Sequence, residues 1–211
     1  MMILKNFVVF EGGDGSGTST QLGLLQNRFN FPVSDLPPLY ATWEPTDGPI
    51  GQLLRSALKG DIPLQRETLA TLFAADRNEH VYAPKGIWER SKQGELVISD
   101  RYVLSSLVYQ GIDCGEALPR RLNDRFPLPE LLFFFDIEGE RALTRMEERT
   151  VKDIYEYLDF QIQVRERYRS LLPGYAQEGV QVEIIDASQS PEAVAEEIWR
   201  VLKNLPIVRG A

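Results

Sequence analysis

The chain has 211 residues, 43% of them hydrophobic and 26% charged, a balance that suits a folded domain with a well-buried core and excludes default disorder. Its net charge of −8 excludes a general nucleic-acid coat or attraction to anionic membranes, so a bound anion must meet a local cluster of cations. One cysteine, Cys114, and one histidine, His80, exclude an internal disulfide, a cysteine-based zinc cluster and a histidine-rich metal site.

Apolar runs and helical patterns alternate along the chain, as in open α/β folds. Strands are predicted near 3–10, 38–43, 95–99, 130–136 and 180–185. Helices are predicted near 18–29, 48–58, 65–82, 101–110, 138–148, 153–171 and 191–203. The runs at 95–99 and 131–135 are nearly all apolar, as expected of parallel strands covered on both faces. Without repeats, low-complexity tracts or linkers, residues 1–211 read as one domain. With no membrane-length apolar run and no charged leader, a cytoplasmic location is expected.

The most informative stretch follows the first strand: Phe10-Glu11-Gly12-Gly13-Asp14-Gly15-Ser16-Gly17-Thr18-Ser19-Thr20. A strand, a glycine-rich turn and a helix start bring backbone N–H groups and the positive end of a helix to one spot, where phosphates bind. Gly12 to Gly17 and Ser19 fit the phosphate-loop spacing G-x-x-x-x-G-K-[ST], except that Thr18 holds the lysine position. Gly12, Gly13, Gly15 and Gly17 let the backbone curl where a β-carbon would obstruct it. Ser19 occupies the hydroxyl position that ligates Mg²⁺, and Thr20 adds a second hydroxyl.

Four further groups stand out. Phe73 and Arg77 are four apart on a helical pattern, so an aromatic plane and a guanidinium share one face; such a pair stacks a base and reads its edge, or is packed core with an ion-paired arginine. Asp100 and Arg101 end an apolar strand at the sheet edge where ligands bind, suited to a metal ion and a phosphate, or to a helix-capping pair. Ser105, Ser106, Tyr109 and Gln110 follow. Arg141, Arg145 and Arg149 recur every four residues as a mobile basic segment over a triphosphate, or as a salt-bridged solvent face. The loop Asp186-Ala187-Ser188-Gln189 could hold a purine through backbone groups. His80, four residues after Asp76, reads as one half of a helix-surface pair.

In this order and spacing the motifs resemble the thymidylate kinases of the P-loop nucleoside-monophosphate kinase group. The stretches that carry the likeness are 10–17, Trp43-Glu44-Pro45-Thr46-Asp47-Gly48-Pro49-Ile50-Gly51, Leu72-Phe73-Ala74-Ala75-Asp76-Arg77-Asn78-Glu79-His80, Asp100-Arg101-Tyr102 through Tyr109-Gln110-Gly111, Phe160 to Tyr168, and Asp186 to Pro191. The resemblance implies a three-layer α/β P-loop fold, a five-stranded parallel sheet wrapped by helices, and transfer of the ATP γ-phosphate to dTMP with Mg²⁺. It places Phe73 on the thymine face, Arg77 at its edge, Ser105, Ser106 and Gln110 around the base, and Tyr109 beneath the sugar. Asp14 would meet the deoxyribose 3′-hydroxyl, Arg101 the acceptor phosphate, and Asp100 with Ser19 the metal. A lid near 141–153 would supply the catalytic guanidinium from Arg145 or Arg149, because Gly15 stands where some members have a loop arginine. A homodimer is also implied.

Two residues depart from the family pattern: Thr18 for the loop lysine, and Trp43 for an arginine before Glu-Pro. Lys5 and the lid arginines are candidates for the missing charge. The departures leave two alternatives open, a catalytically impaired nucleotide-binding regulator and a kinase for another nucleoside monophosphate.

Overall fold

The structure is a computed structural model and describes residues 2–30, 36–147 and 158–210, with the side chains of 146 and 147 excepted. Five strands, β1 (Ile3–Gly12), β2 (Leu39–Trp43), β3 (Leu96–Asp100), β4 (Leu128–Asp136) and β5 (Gln181–Asp186), form one sheet in the order β2-β3-β1-β4-β5. All four pairings are parallel. Phe7-Val8-Val9-Phe10 is buried throughout because β1 is the central strand with both faces covered.

The twofold alternation of a strand divides these side chains between two layers. Val8 and Phe10, with Phe133 and Phe135 of β4, pack against Leu22, Leu25 and Phe29 of α1 (Thr18–Phe29) and Val194, Ile198 and Leu202 of the second-last helix, Pro191–Leu202. On the other face Phe7 and Val9 meet Ala74 and Val81 of the helix Arg66–Tyr82, while Leu132 and Phe134 meet Leu104 and Val108 of the helix Val103–Cys114 and Val164 and Tyr168 of the helix Leu158–Gln177.

In chain order the helices after α1 are α2 (Pro49–Leu58), α3 (Arg66–Tyr82), α4 (Ile87–Lys92), α5 (Val103–Cys114), α6 (Ala117–Asn123), α7 (Gly139–Glu147), α8 (Leu158–Gln177), α9 (Pro191–Leu202) and α10 (Pro206–Arg209). The five strands match the expected ones within a few residues. The short helices α4, α6 and α10 were not expected, being too brief to show a period. Helix α8 runs six residues past its expected end, through Pro173, because Leu172 and Tyr175 on either side are buried. No described helix is long and apolar enough to cross a membrane.

Candidate active site

Strand β1 delivers the glycine-rich turn to the carboxyl edge of the sheet. Ser16 N–H closes the turn on Gly13 O at 3.2 Å. A β-carbon on Gly12 would stand 2.5 Å from Ser16 Oγ and 3.1 Å from the carbonyl of Phe135, so the close approach of β1, loop and β4 requires glycine there. Gly17 caps α1 at φ 92°, a left-handed conformation that glycine tolerates, and no side chain caps the helix. The open N–H groups of the first turn therefore remain for an anion, at the positive end of the helix.

Ser19 and Asp100 meet beside this turn. The Ser19 hydroxyl donates to Asp100 Oδ2 at 2.5 Å. Asp100 Oδ1 is buried without a partner among the described residues. An orphaned carboxylate oxygen next to a hydroxyl is a cost unless something cationic takes it. The pair fits Mg²⁺, which binds through one or two protein oxygens and fills its remaining positions with water and substrate phosphates. No group of three His, Cys, Asp or Glu among the described residues makes a protein-only cage.

Arg101 leaves β3 with φ 69°, a costly backbone for an arginine, held by its N–H bond to Phe10 O at 2.8 Å. The turn aims its guanidinium back across the loop: Nη2 donates to Asp14 Oδ1 at 2.6 Å and Nη1 to Gly12 O at 3.0 Å. Asp14 Oδ2 accepts from Tyr109 OH and from Gln161 Nε2, each at 3.1 Å. Burial raises the Tyr109 pKa, so its hydroxyl stays a donor.

Glu11 lies within the glycine-rich motif, where the sequence alone shows no task for it. It is fully buried and accepts from Tyr102 N, Ser105 N, Ser105 Oγ and Tyr168 OH at 3.0, 3.2, 2.6 and 3.0 Å. Burial raises its pKa; hydrogen bonds from Ser105 and Tyr168 and the charge of Arg101 act in the opposite direction. It fastens the start of α5 to β1. The Ser105 hydroxyl is shared between Glu11 Oε2 at 2.6 Å and Tyr168 OH at 2.8 Å, which ties α5 and α8 to β1.

Helix α3 brings Phe73 and Arg77 to the same cleft. Arg77 is 1% exposed and bound on nearly every side: Nε and Nη2 to Glu44 Oε2 at 2.9 and 2.6 Å, Nη2 to Tyr102 O at 3.0 Å and Ser106 Oγ at 3.1 Å, and Nη1 to Asn123 Oδ1. Thus the ion-paired and base-reading alternatives for Arg77 are compatible. His80 is not a surface partner of Asp76. It is buried between Thr42 and Glu44, while Asp76 takes the backbone N–H and hydroxyl of Thr46 at 2.7 and 2.6 Å. Helical spacing showed that the two share a face but could not show what covers it.

A cleft of about 650 Å³ joins these parts. Its walls hold Gly13, Asp14, Gly15, Gly17, Thr18, Ser19 and Thr20 from the loop and α1, Asp100 and Arg101 from the end of β3, Phe73 and Arg77 from α3, and Ser105, Ser106, Tyr109 and Gln110 from α5. Gly12 and Ser16 shape the turn from behind. Arg55 on α2 and Lys59, the residue that caps its end, also line it and are not legible in the sequence, because neither belongs to a recognisable motif. Arg145 lies near the loop: a β-carbon on Gly17 would stand 4.0 Å from its Nη1. Arg149 and the rest of the expected lid after residue 147 lie outside the described residues.

The thymidylate kinase family model matches residues 10–198. The chain belongs to the thymidylate kinase family. It is therefore a phosphotransferase. Three relatives, named as a putative and two probable thymidylate kinases, match over nearly their full lengths. One from Treponema pallidum (strain Nichols) is 40% identical over 207 residues, covering 97% of this chain and 98% of its own. One from Pyrobaculum aerophilum is 40% identical over 201 residues, 94% and 97%. One from Methanocaldococcus jannaschii is 36% identical over 206 residues, 97% and 100%.

Against the family pattern, Thr18 is buried in the first turn of α1 and Trp43, 40% exposed, forms part of the cleft wall. Lys5 does not replace the loop lysine. It sits at the opposite end of β1, paired with Glu130 at 2.8 Å. Arg165 and Arg169 are likewise engaged, both on Asp136 at 2.6 and 2.7 Å.

Proposed function

We propose that this thymidylate kinase transfers the γ-phosphate of ATP to dTMP, giving dTDP, with the triphosphate on residues 12–20 and dTMP at the end of the cleft lined by Phe73, Arg77 and Tyr109. The observation that carries the acceptor assignment is Gln110 Oε1, a buried oxygen without a partner among the described residues, on a cleft wall it shares with Arg77. Ser106, one turn before Gln110 on α5, accepts from Arg77, so the two groups are neighbours. Thymine presents an N3–H donor between two carbonyl acceptors. A guanidinium donor beside a bare amide oxygen complements that edge, whereas cytosine offers an acceptor at N3 and an amino group at C4.

The acceptor nucleophile is a phosphate oxygen, so catalysis rests on alignment and charge neutralisation rather than on a strong base. Arg101 holds the acceptor phosphate and Asp14 the 3′-hydroxyl, with Tyr109 closing the space below the sugar. Loop N–H groups and the guanidinium of Arg145, with Arg149, hold the donor and neutralise charge in the transition state. Ser19 and Asp100 would hold Mg²⁺, which supplies positive charge to the triphosphate oxygens. A homodimer and a cytoplasmic location belong to the same reading.

The test is an acceptor panel of dTMP, dUMP, dCMP and UMP with ATP and Mg²⁺, read as ADP release. Turnover ranked with dTMP first and the two cytosine- and ribose-bearing acceptors far behind is expected. Equal turnover of dCMP and dTMP would overturn the pocket assignment, and nucleotide binding without ADP release would overturn the kinase reading.

A further inference from the structure

The single histidine has no task in the mechanism above, yet it is buried behind the base pocket with both ring nitrogens engaged. His80 Nδ1 lies 3.0 Å from Glu44 Oε1, and Nε2 lies 2.6 Å from Thr42 Oγ1. The other oxygen of the same carboxylate, Oε2, takes Nε and Nη2 of Arg77. This paired guanidinium favours the ionised carboxylate. An ionised carboxylate only accepts hydrogen bonds, so Nδ1 must carry a proton. On the other side of the ring Nε2 meets the Thr42 hydroxyl. Thr42 thus steadies the ring, His80 donates to Glu44, and Arg77 donates to Glu44 from the other side.

This geometry bears on Arg77. Four of its five N–H groups have named acceptors in Glu44, Tyr102, Ser106 and Asn123, which leaves one hydrogen on Nη1 without a named acceptor among the described residues. The direction of that hydrogen follows the guanidinium plane, and Glu44, which among the described residues is the one acceptor meeting Arg77 through two of its nitrogens, sets the plane. The second oxygen of Glu44 is fixed, among the described residues, by His80 alone.

We propose that His80 is a positioning residue for acceptor selection: by donating Nδ1–H to Glu44 it fixes the carboxylate that aims Arg77 at the base. The inference rests on the reading of Arg77 as the base-edge contact. It assigns a function in substrate choice to a side chain that does not line the cleft.

The test is steady-state kinetics of His80→Ala, His80→Asn and Thr42→Val, with dTMP and ATP varied separately and thermal unfolding run in parallel. In His80→Ala the KM for dTMP should rise about tenfold, the effect of one charged hydrogen bond. Its kcat at saturating dTMP and its KM for ATP should stay within about twofold, and the preference for dTMP over dCMP should narrow. His80→Asn keeps an N–H near the Nδ1 position and should recover most of the affinity. Thr42→Val removes the partner of Nε2, loosens the ring against Glu44 and should raise the dTMP KM about threefold.

Equal changes in the KM values of dTMP and ATP, or an asparagine variant no better than alanine, would reduce His80 to packing and overturn the proposal. If His80→Ala fails to fold, Thr42→Val decides, and a wild-type dTMP KM there overturns it. Failure of the wild-type protein to phosphorylate dTMP refutes the functional reading itself; an active wild type with unshifted variants refutes only the positioning role.

Discussion

Ser19 Oγ stands 2.5 Å from Asp100 Oδ2, joining the first turn of α1 to the end of β3, while Asp100 Oδ1 remains buried with no partner among the described residues. The two oxygens thus face the phosphate loop from different elements, and only the packed sheet brings them together. Asp100→Asn keeps the shape and removes the charge. Turnover should fall at least about a hundredfold, the scale of a charged contact acting on the transition state, with the dTMP dissociation constant within about threefold. A magnesium titration of ADP release in Ser19→Ala should show the half-saturating concentration displaced upward; an unchanged titration would remove Ser19 from the ion's ligands.

Arg145 lies beside Gly17, and Thr18 brings no charge to the loop. Replacing Arg145 and Arg149 together by alanine should lower kcat by about 10³, the low end for an arginine that neutralises a transferring phosphoryl group. The KM for dTMP should change little. Single-turnover measurements separate this from slowed product release.

If the lid guanidinium does the task of the missing ammonium, then Thr18→Lys should soften the loss caused by Arg145→Ala. A double-mutant cycle on kcat/KM for ATP measures this directly, and the expected coupling is about 1–2 kcal/mol. Strict additivity would show that the two positions serve different charges.

Tyr109 touches Asp14 Oδ2 at 3.1 Å through its hydroxyl, and its ring lies beneath Arg101, whose guanidinium carbon is 5.3 Å from the ring centroid. Tyr109→Phe keeps the ring and should therefore keep discrimination against the ribose acceptor UMP. It should raise the KM for dTMP about three- to tenfold by loosening Asp14. Tyr109→Ala should lose both.

The Glu44 carboxylate is held below its ordinary value of 4.5 in the fold: burial opposes the charge, and Arg77 and His80 outweigh it. A folded-state pKa below the unfolded one adds stability that is complete above the unfolded value and is lost as pH falls through the folded value. Wild-type protein should therefore lose stability as pH drops below about 4.5. Asp136, lowered by Arg165 and Arg169, adds to the same acid limb. Glu44→Gln leaves the buried Arg77 without a counter-charge and should cost about 3–5 kcal/mol at pH 7. The gap from wild type should narrow in acid, as thermal melts from pH 7 to pH 3 would record.

Much of this fold can be read from the chain because its strands are short apolar runs bounded by glycine, proline and charge. Phe7 to Phe10 and Leu131 to Phe135 need no tertiary information to be recognised as buried. The phosphate loop is equally legible, since its glycines answer to local backbone geometry. What escaped notice depends on long-range partners. Glu11 looks like a motif residue until Tyr168, far along the chain, is seen to donate to it. The place of His80 is not legible because its partners come from β2 and the turn after it, and Arg55 and Lys59 escape because a surface cation carries no sequence mark of the wall it joins.

Gln161 reaches Asp14 from the first turn of α8, the helix that resumes the described chain after α7. Asp14 is also the carboxylate that Arg101 grips. One aspartate thus couples the phosphate loop and the end of β3 to the root of the C-terminal layer, so a ligand that displaces Asp14 or Arg101 pulls on α8 as well.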